Sequence, residues 1–588
     1  MAEQLTNEQQ AAVDSRGRSL LVSAAAGSGK TKVLVERLFS YVEREGANLD
    51  DFLIITYTRA AASELRGKIA KALTERMERD PGNYHLRQQM LRVYRADIKT
   101  VDAFCTALLR ENCHLLGEDA RGHTLRPDFR VLDENDAQAL RERVLARTLD
   151  DFYARLTPGG ALLADTLGAG RDDSALEALV LELHAKLQAQ PYEDKWLDAQ
   201  RALWSEVPDR IEKTPYGRIL LDEVRRKARH WQRLMQTAAQ EMTQNDALNQ
   251  KYAPAFLDIS YQLEALTAKA DEGWDAARGV SIAFPRLAPV KDSDGGKLKM
   301  RMKALWDGCK AAVKGFGELL NASSGEAAED LRTMAPAMLA LIDLTAEFSR
   351  RYNEEKRRRN AADFSDQEHE AIRLLIGEDG TPTELARTVS TRYREIMVDE
   401  YQDTNEVQNR IFDAISCKGE NLFTVGDVKQ SIYRFRLADP RIFLQHYNTW
   451  PPLAQAGEHE SAKLLLSRNF RSRKEVLEAT NFIFTNVLSA EMGELDYGED
   501  EMLRSGANYV PSDRCGAEFH LLDVPAQAGG QRVRASEAEA AFAADYIHDM
   551  LTSKFPVQDE KTRELRPVRE EDIVILMRSP STRLLDYR

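Results

Sequence analysis

Ala24-Ala25-Ala26-Gly27-Ser28-Gly29-Lys30-Thr31 combines small residues, a lysine and a hydroxyl at the spacing of a phosphate-binding loop. Small side chains let successive backbone N–H groups turn inward around phosphate oxygens, and a helix starting at the loop adds the positive end of its dipole. Lys30 is placed to reach the β- and γ-phosphates of ATP, and the Thr31 hydroxyl to join a Mg²⁺ shell. Ala24, Ala26, Gly27, Ser28, Gly29 and Lys32 complete the expected nucleotide contacts. A second stretch, Ile396-Met397-Val398-Asp399-Glu400, is an apolar run ending in two carboxylates. Asp399 there suits a Mg²⁺ ligand, and Glu400 suits a base that orients water. Both elements together specify ATP hydrolysis. No Asn-Lys-x-Asp guanine signature is present, which disfavours a GTPase.

These residues need a parallel sheet to hold them. Ser19–Val22 and Phe52–Ile55 read as short buried strands, each followed by a loop and a helical pattern. Val33, Leu34, Val35, Leu38, Phe39 and Val42 recur at helical spacing after the first loop, and an alanine-rich helix begins near Ala60. From 121 to 360 the texture becomes helical: Leu140, Val144, Leu145, Leu149, Phe152, Tyr153 and Leu156 share a face, with Asp133 or Asn135 as cap. Breaks are expected around Lys291–Lys297 and Asn321–Glu326, and the basic run Lys356–Arg359 reads as a solvated helix face. Strand candidates return at Glu395–Val398 and Asn421–Val425. Two more, Phe519–Leu522 and Ile573–Met577, flank a helix that a Ser536/Glu539 capping box should open. The fold class is thus α/β: P-loop, RecA-like parallel-sheet domains with a large inserted helical domain. The expected boundaries are 1–120 with 361–455 for the first, 121–360 for the insert, and 456–588 for a partial second.

At 588 residues, 43% hydrophobic and 30% charged, the chain has material for several cores and no apolar run long enough for a membrane span. Its net charge of −14 gives no global support for nucleic-acid binding, although a groove on an acidic protein can still be basic. Cys105, Cys113, Cys309, Cys417 and Cys515 are scattered, without a Cys-x-x-Cys pair. That pattern predicts reduced thiols in a cytoplasmic protein and no zinc or iron–sulfur site.

The second acidic stretch continues Tyr401-Gln402-Asp403-Thr404-Asn405, and Asp-Glu-aromatic-Gln-Asp-Thr-Asn resembles motif II of the UvrD-type superfamily-one DNA helicases. Further matches follow in that family's order. Leu5-Thr6 with Gln9 resembles the motif that reads the adenine edge, and Thr56–Leu65 resembles motif Ia. Thr100-Val101-Asp102-Ala103-Phe104 resembles the next single-strand contact motif. Gly426–Arg436 resembles motif III, and Leu466–Ser472 resembles motif IV. The resemblance implies that Gln430 senses the γ-phosphate, Arg471 reaches across a cleft as an arginine finger and Phe470 stacks on adenine. It also implies DNA contacts from Thr56, Thr58, Thr100, Asp102, Phe104, Tyr433 and Phe435. Tyr433 and Phe435, two apart, suit stacking on successive bases. By residue type alone Tyr433 and Phe435 read first as core aromatics, Arg471 can be a surface ion pair, and Thr100 a helix cap.

Arg436-Leu437-Ala438-Asp439-Pro440, Pro127–Glu134 and Ala362-Asp363-Phe364-Ser365-Asp366 resemble the AddA branch of the family, with RecB the nearer competitor. That branch implies a 3′→5′ translocase on single-stranded DNA and DNA ends, partnered with an AddB-like subunit in double-strand break repair. Motifs V and VI and a nuclease domain are not found. The expectation is therefore a truncated chain that binds ATP but is a poor motor, or a non-catalytic ATP- and DNA-binding fragment.

Overall fold

Six strands lie side by side in the computed structural model, which describes residues 5–118, 122–167, 174–416, 419–512, 515–524, 527–528, 531–532, 534–559, 562–579 and 583–587. The strands are β1 (Leu20–Ala24), β2 (Phe52–Thr56), β3 (Asp97–Thr100), β4 (Glu395–Val398), β5 (Leu422–Gly426) and β6 (Ala462–Leu466). Their order is β3-β2-β4-β5-β1-β6, and every pairing is parallel. β1, β2, β4 and β5 are buried along their whole length, which is why they read as continuous apolar runs and not as alternation. The sheet belongs to a unit made of Met1–Val131 and Asn360–Arg588.

Numbered within this unit, its helices are α1 (Asn7–Asp14), α2 (Lys30–Arg44), α3 (Arg59–Arg79), α4 (Tyr84–Arg92) and α5 (Val101–Asn112), then α6 (Phe364–Leu375), α7 (Glu384–Arg392), α8 (Glu406–Ile415), α9 (Pro440–Thr449), α10 (Lys474–Val487) and α11 (Ala535–Thr552). Val33, Leu34, Val35, Leu38, Phe39 and Val42 of α2 are all buried against the sheet core. Beneath that core, Arg37 and Glu395 form a buried ion pair joined by the Tyr41 hydroxyl, so two charges taken from water are each multiply bonded.

Three expectations for this unit are corrected. Ala462–Leu466 lies beyond the expected boundary at 456, yet it is the sixth strand of the first sheet, hydrogen-bonded along β1. Phe519–Leu522 and Ile573–Met577 form no strand; with Phe519 90% and Leu576 91% exposed, no described neighbour supplies the ladder a strand requires. α11 begins at Ala535 after Arg534, without a side-chain cap, so Ser536 and Glu539 lie inside the helix and make no capping box.

The other unit, Leu132–Arg359, is helical. Asp133 caps Glu134–Ala154 by accepting from Asp136 N, and Leu140, Val144, Leu145 and Leu149 are buried while Leu156 lies outside the helix. Pro215–Met242 packs along Ala253–Glu272 around Met235, Phe256 and Leu263. The break expected around Lys291–Lys297 is present: the stretch 280–291 is non-helical, and Gly296 (φ 48°, ψ −138°) interrupts the helical run Asp292–Leu319. Lys356 is not solvated: it is buried, with its ammonium 4.0 Å from the Tyr352 ring centre, while Arg358 and Arg359 pair with Glu355. No described helix is long and apolar enough to cross a membrane. Cys105, Cys113, Cys309 and Cys515 are free thiols, and Cys417 lies outside the described residues.

Candidate functional site

The loop between β1 and α2 turns at Gly27 (φ 68°) and Gly29 (φ 84°), a left-handed backbone that disfavours side chains. A β-carbon on Gly27 would also lie 2.6 Å from the Asn469 amide. Lys30 and Thr31 occupy the first turn of α2, which contains no acidic residue, so its positive end is unopposed. The Ser28 hydroxyl is buried with no partner among the described residues, as expected of a group awaiting a phosphate oxygen. These features fit a bound nucleotide phosphate.

Motif II follows β4. Lys30 Nζ meets Glu400 Oε2 at 2.7 Å, and Gln402 Nε2 donates to the same oxygen at 2.9 Å. Glu400 itself holds φ 53°, rare for a residue with a β-carbon, and its N–H donates to Asp399 Oδ1. Gln402 Oε1 accepts from Asp427 N at 2.9 Å, and Gln430 Nε2 donates to Asp427 Oδ2 at 2.8 Å. One run of bonds therefore links Lys30, Glu400, Gln402, Asp427 and Gln430. Sequence reasoning missed Gln402 and Asp427 as site residues; their signal was their place inside two motifs whose neighbours were chosen.

Burial first, and then the charge of Glu400, push the Asp399 carboxyl up to about 6. The same two causes raise Asp403 to about 6, and one of its oxygens is buried without a partner among the described residues. Crowded carboxylates with a hydroxyl beside the phosphate loop are the donor set that suits Mg²⁺, through Asp399 and Thr31.

Motif IV docks directly on the phosphate loop. Asn469 Nδ2 donates to Ala26 O at 2.6 Å, and its Oδ1 accepts from Arg471 N and Ser472 N at 2.8 and 2.7 Å. Phe470 N donates to Gly27 O, and the Phe470 ring lies against Gly506. The Arg471 side chain is exposed. Gln9, the expected adenine reader, is 3% exposed, with Oε1 bonded to Thr6 N and Nε2 to Ser28 O. Its amide braces the phosphate loop. Lys32 is half-buried in the first turn of α2.

The residues expected to meet DNA divide. Phe435 is 76% exposed and Ile432 69%; the Tyr433 and Phe435 rings lie 5.9 Å apart, with the Arg436 guanidinium over both. Thr58 is exposed but its hydroxyl caps α3. Thr56 is buried and bonds Thr58 O. Thr100 is buried and caps α5 by accepting from Ala103 N. Phe104 is 4% exposed, a core ring that presents no face to a base, and the Asp102 carboxyl is largely buried.

A phosphate loop after β1, an acidic pair after β4 and a motif III loop after β5 all sit at the carboxyl ends of parallel strands, which defines a P-loop ATPase. The sequence matches the UvrD/REP helicase N-terminal domain over residues 5–451, and the chain belongs to that family. Its relatives include the AddA chains of the ATP-dependent helicase/nuclease from Bacillus licheniformis (32% identical over 590 residues), Ruminiclostridium cellulolyticum (33% over 621) and Bacillus anthracis (34% over 596). Each alignment covers 98% of this chain and 47%, 49% and 47% of the respective relative, so the chain spans about half the length of the curated relatives it matches.

Proposed function

We propose that this chain carries the ATP-hydrolysing, DNA-translocating core of an AddA-type helicase/nuclease, acting on single-stranded DNA in cytoplasmic double-strand break repair. The observation that carries the reading is the bonded run from Lys30 through Glu400 and Gln402 to Asp427 and Gln430, which ends three residues before the half-buried Tyr433 and five before the exposed Phe435. Lys30 binds the β- and γ-phosphates, exchanging its bond to Glu400 for phosphate oxygens. Glu400, so released, orients the attacking water and accepts its proton as the bond from the γ-phosphorus to ADP breaks. Mg²⁺, held by Thr31 and Asp399, neutralises phosphate charge when bound. Gln430 senses the γ-phosphate, Arg471 approaches it as a finger, and Phe470 stacks on adenine. Tyr433 and Phe435 hold bases by stacking, which tolerates sequence and so suits a motor.

The same reading makes the sheet with its helices the first RecA-like domain and 132–359 its helical insert. A partial second domain then follows the motif IV loop. Movement in the 3′→5′ direction and an AddB-like partner belong to this proposal through the motif resemblance. A second reading, nucleotide and DNA binding without turnover, rests on the largely exposed segments Phe519–Leu522 and Ile573–Met577, which join no strand among the described residues.

Steady-state ATP hydrolysis with and without single-stranded DNA separates the two. Turnover stimulated by DNA supports the motor; nucleotide binding without turnover supports the second reading. Stronger stimulation by RNA would overturn the choice of substrate.

A further inference from the structure

The helix that follows the insert holds a carboxylate that the ATPase chemistry does not use. Glu368 lies on α6 and is 7% exposed. α6 packs on one side against α5, which begins just after its cap Thr100, and on the other against α8, which begins just after its cap Asn405. α8 opens with a reciprocal capping box: Asn405 Oδ1 accepts from Gln408 N, and Gln408 Oε1 accepts from Asn405 N. Both cap amides then turn to one carboxylate, Gln408 Nε2 reaching Glu368 Oε1 at 2.7 Å and Asn405 Nδ2 reaching Oε2 at 3.4 Å. The neighbouring Gln367 is fully buried and accepts from Thr106 of α5. Adjacent residues of α6 thus grip the helix after motif II and the helix after Thr100. The motif II loop is itself tied to motif Ia, where the Tyr57 hydroxyl meets Thr404.

We propose that Glu368 is a positioning residue that clamps the motif II cap to α6, which Gln367 ties to α5, linking nucleotide occupancy to single-stranded DNA affinity. The inference rests on the ATP- and DNA-binding reading above. Asp102 and Cys105 of α5, Tyr57 of the loop after β2 and His369 of α6 are the titratable groups around Glu368, with Arg59 beside Asp102. Burial, then the Asp102 charge, push the Glu368 carboxyl up to about 7, against the lowering effect of Gln408, His369 and Asn405. The anion accepts from both amides. The protonated acid gives up one acceptor site, so the clamp weakens as pH falls through that value.

The test is anisotropy of a fluorescent single-stranded oligonucleotide, with and without a non-hydrolysable ATP analogue, at pH 6 and pH 8.5. In the wild type, the ratio of the two DNA affinities should exceed about fivefold at pH 8.5 and shrink at pH 6. Glu368→Gln, close in shape and unable to ionise, should change its ratio between the two pH values less than the wild type does, and Glu368→Ala should give a ratio near unity. Each variant should keep nucleotide affinity within about threefold. A Glu368→Gln ratio that follows the wild type across pH overturns the proposal and leaves the function intact. A wild type that binds both ligands without linkage does the same. A wild type that binds neither overturns both.

Discussion

The nucleotide loops and the stretches expected to face DNA lie in the same unit, yet their side chains are used in opposite ways. At the nucleotide loops, the polar groups are already bonded to one another, from Lys30 to Gln430 and from Ala26 to Arg471 N. On the DNA side, Thr56, Thr100 and Phe104 are buried in the fold, while Phe435 and Arg436 of motif III stand out to solvent. Phosphate chemistry rewards donors fixed in a dry setting before the charge arrives, whereas stacking on bases requires a ring face open to water. Burial therefore marks function at one place and the absence of direct contact at the other.

The sharpest break of this comparison is at Glu400. Glu400→Gln should lower hydrolysis at least ~100-fold while nucleotide affinity persists, and Lys30→Ala should remove that affinity. Phosphate release and fluorescent-nucleotide binding measure the two, and unchanged values in both variants would refute the assigned site. Next comes Phe104→Ala, expected to cost about 3–5 kcal/mol in denaturant unfolding, with DNA affinity per folded molecule unchanged. Its counterpart Phe435→Ala should leave unfolding alone and weaken DNA binding by about 1–3 kcal/mol. If the two aromatics exchange these signatures, the division of the DNA side is wrong. Thr100→Ala should cost about 1 kcal/mol of stability through loss of the α5 cap.

A smaller pH effect sharpens the nucleotide side. Asp399 and Asp403 are raised to about 6, so between the ordinary carboxylate range and that value the folded chain holds more protons than the unfolded one. Their contribution to stability should fall as pH rises toward 6 and then level, and Asp399→Asn should flatten part of that slope in thermal melts. Mg²⁺ should raise the melting temperature more at pH 8 than at pH 5, because it competes with those protons.

The phosphate loop, the acidic pair and the motif order were legible because each depends on residue types at short spacing, next to strands whose apolar runs declare their burial. Glu395–Val398 was read with both ends in place for that reason. What one line of residues leaves open is which side of an element turns inward and which strands become neighbours. Phe104 and Phe435 are the same residue in comparable motif settings, and only packing makes one a core ring and the other a surface ring. Ala462–Leu466 joined β1 across more than four hundred residues, while Phe519–Leu522, no less apolar, found no partner among the described residues. Local spacing determined the chemistry available to this protein. Long-range burial and pairing decided which of those groups face a ligand, since a side chain gains from leaving water only where another part of the chain meets it.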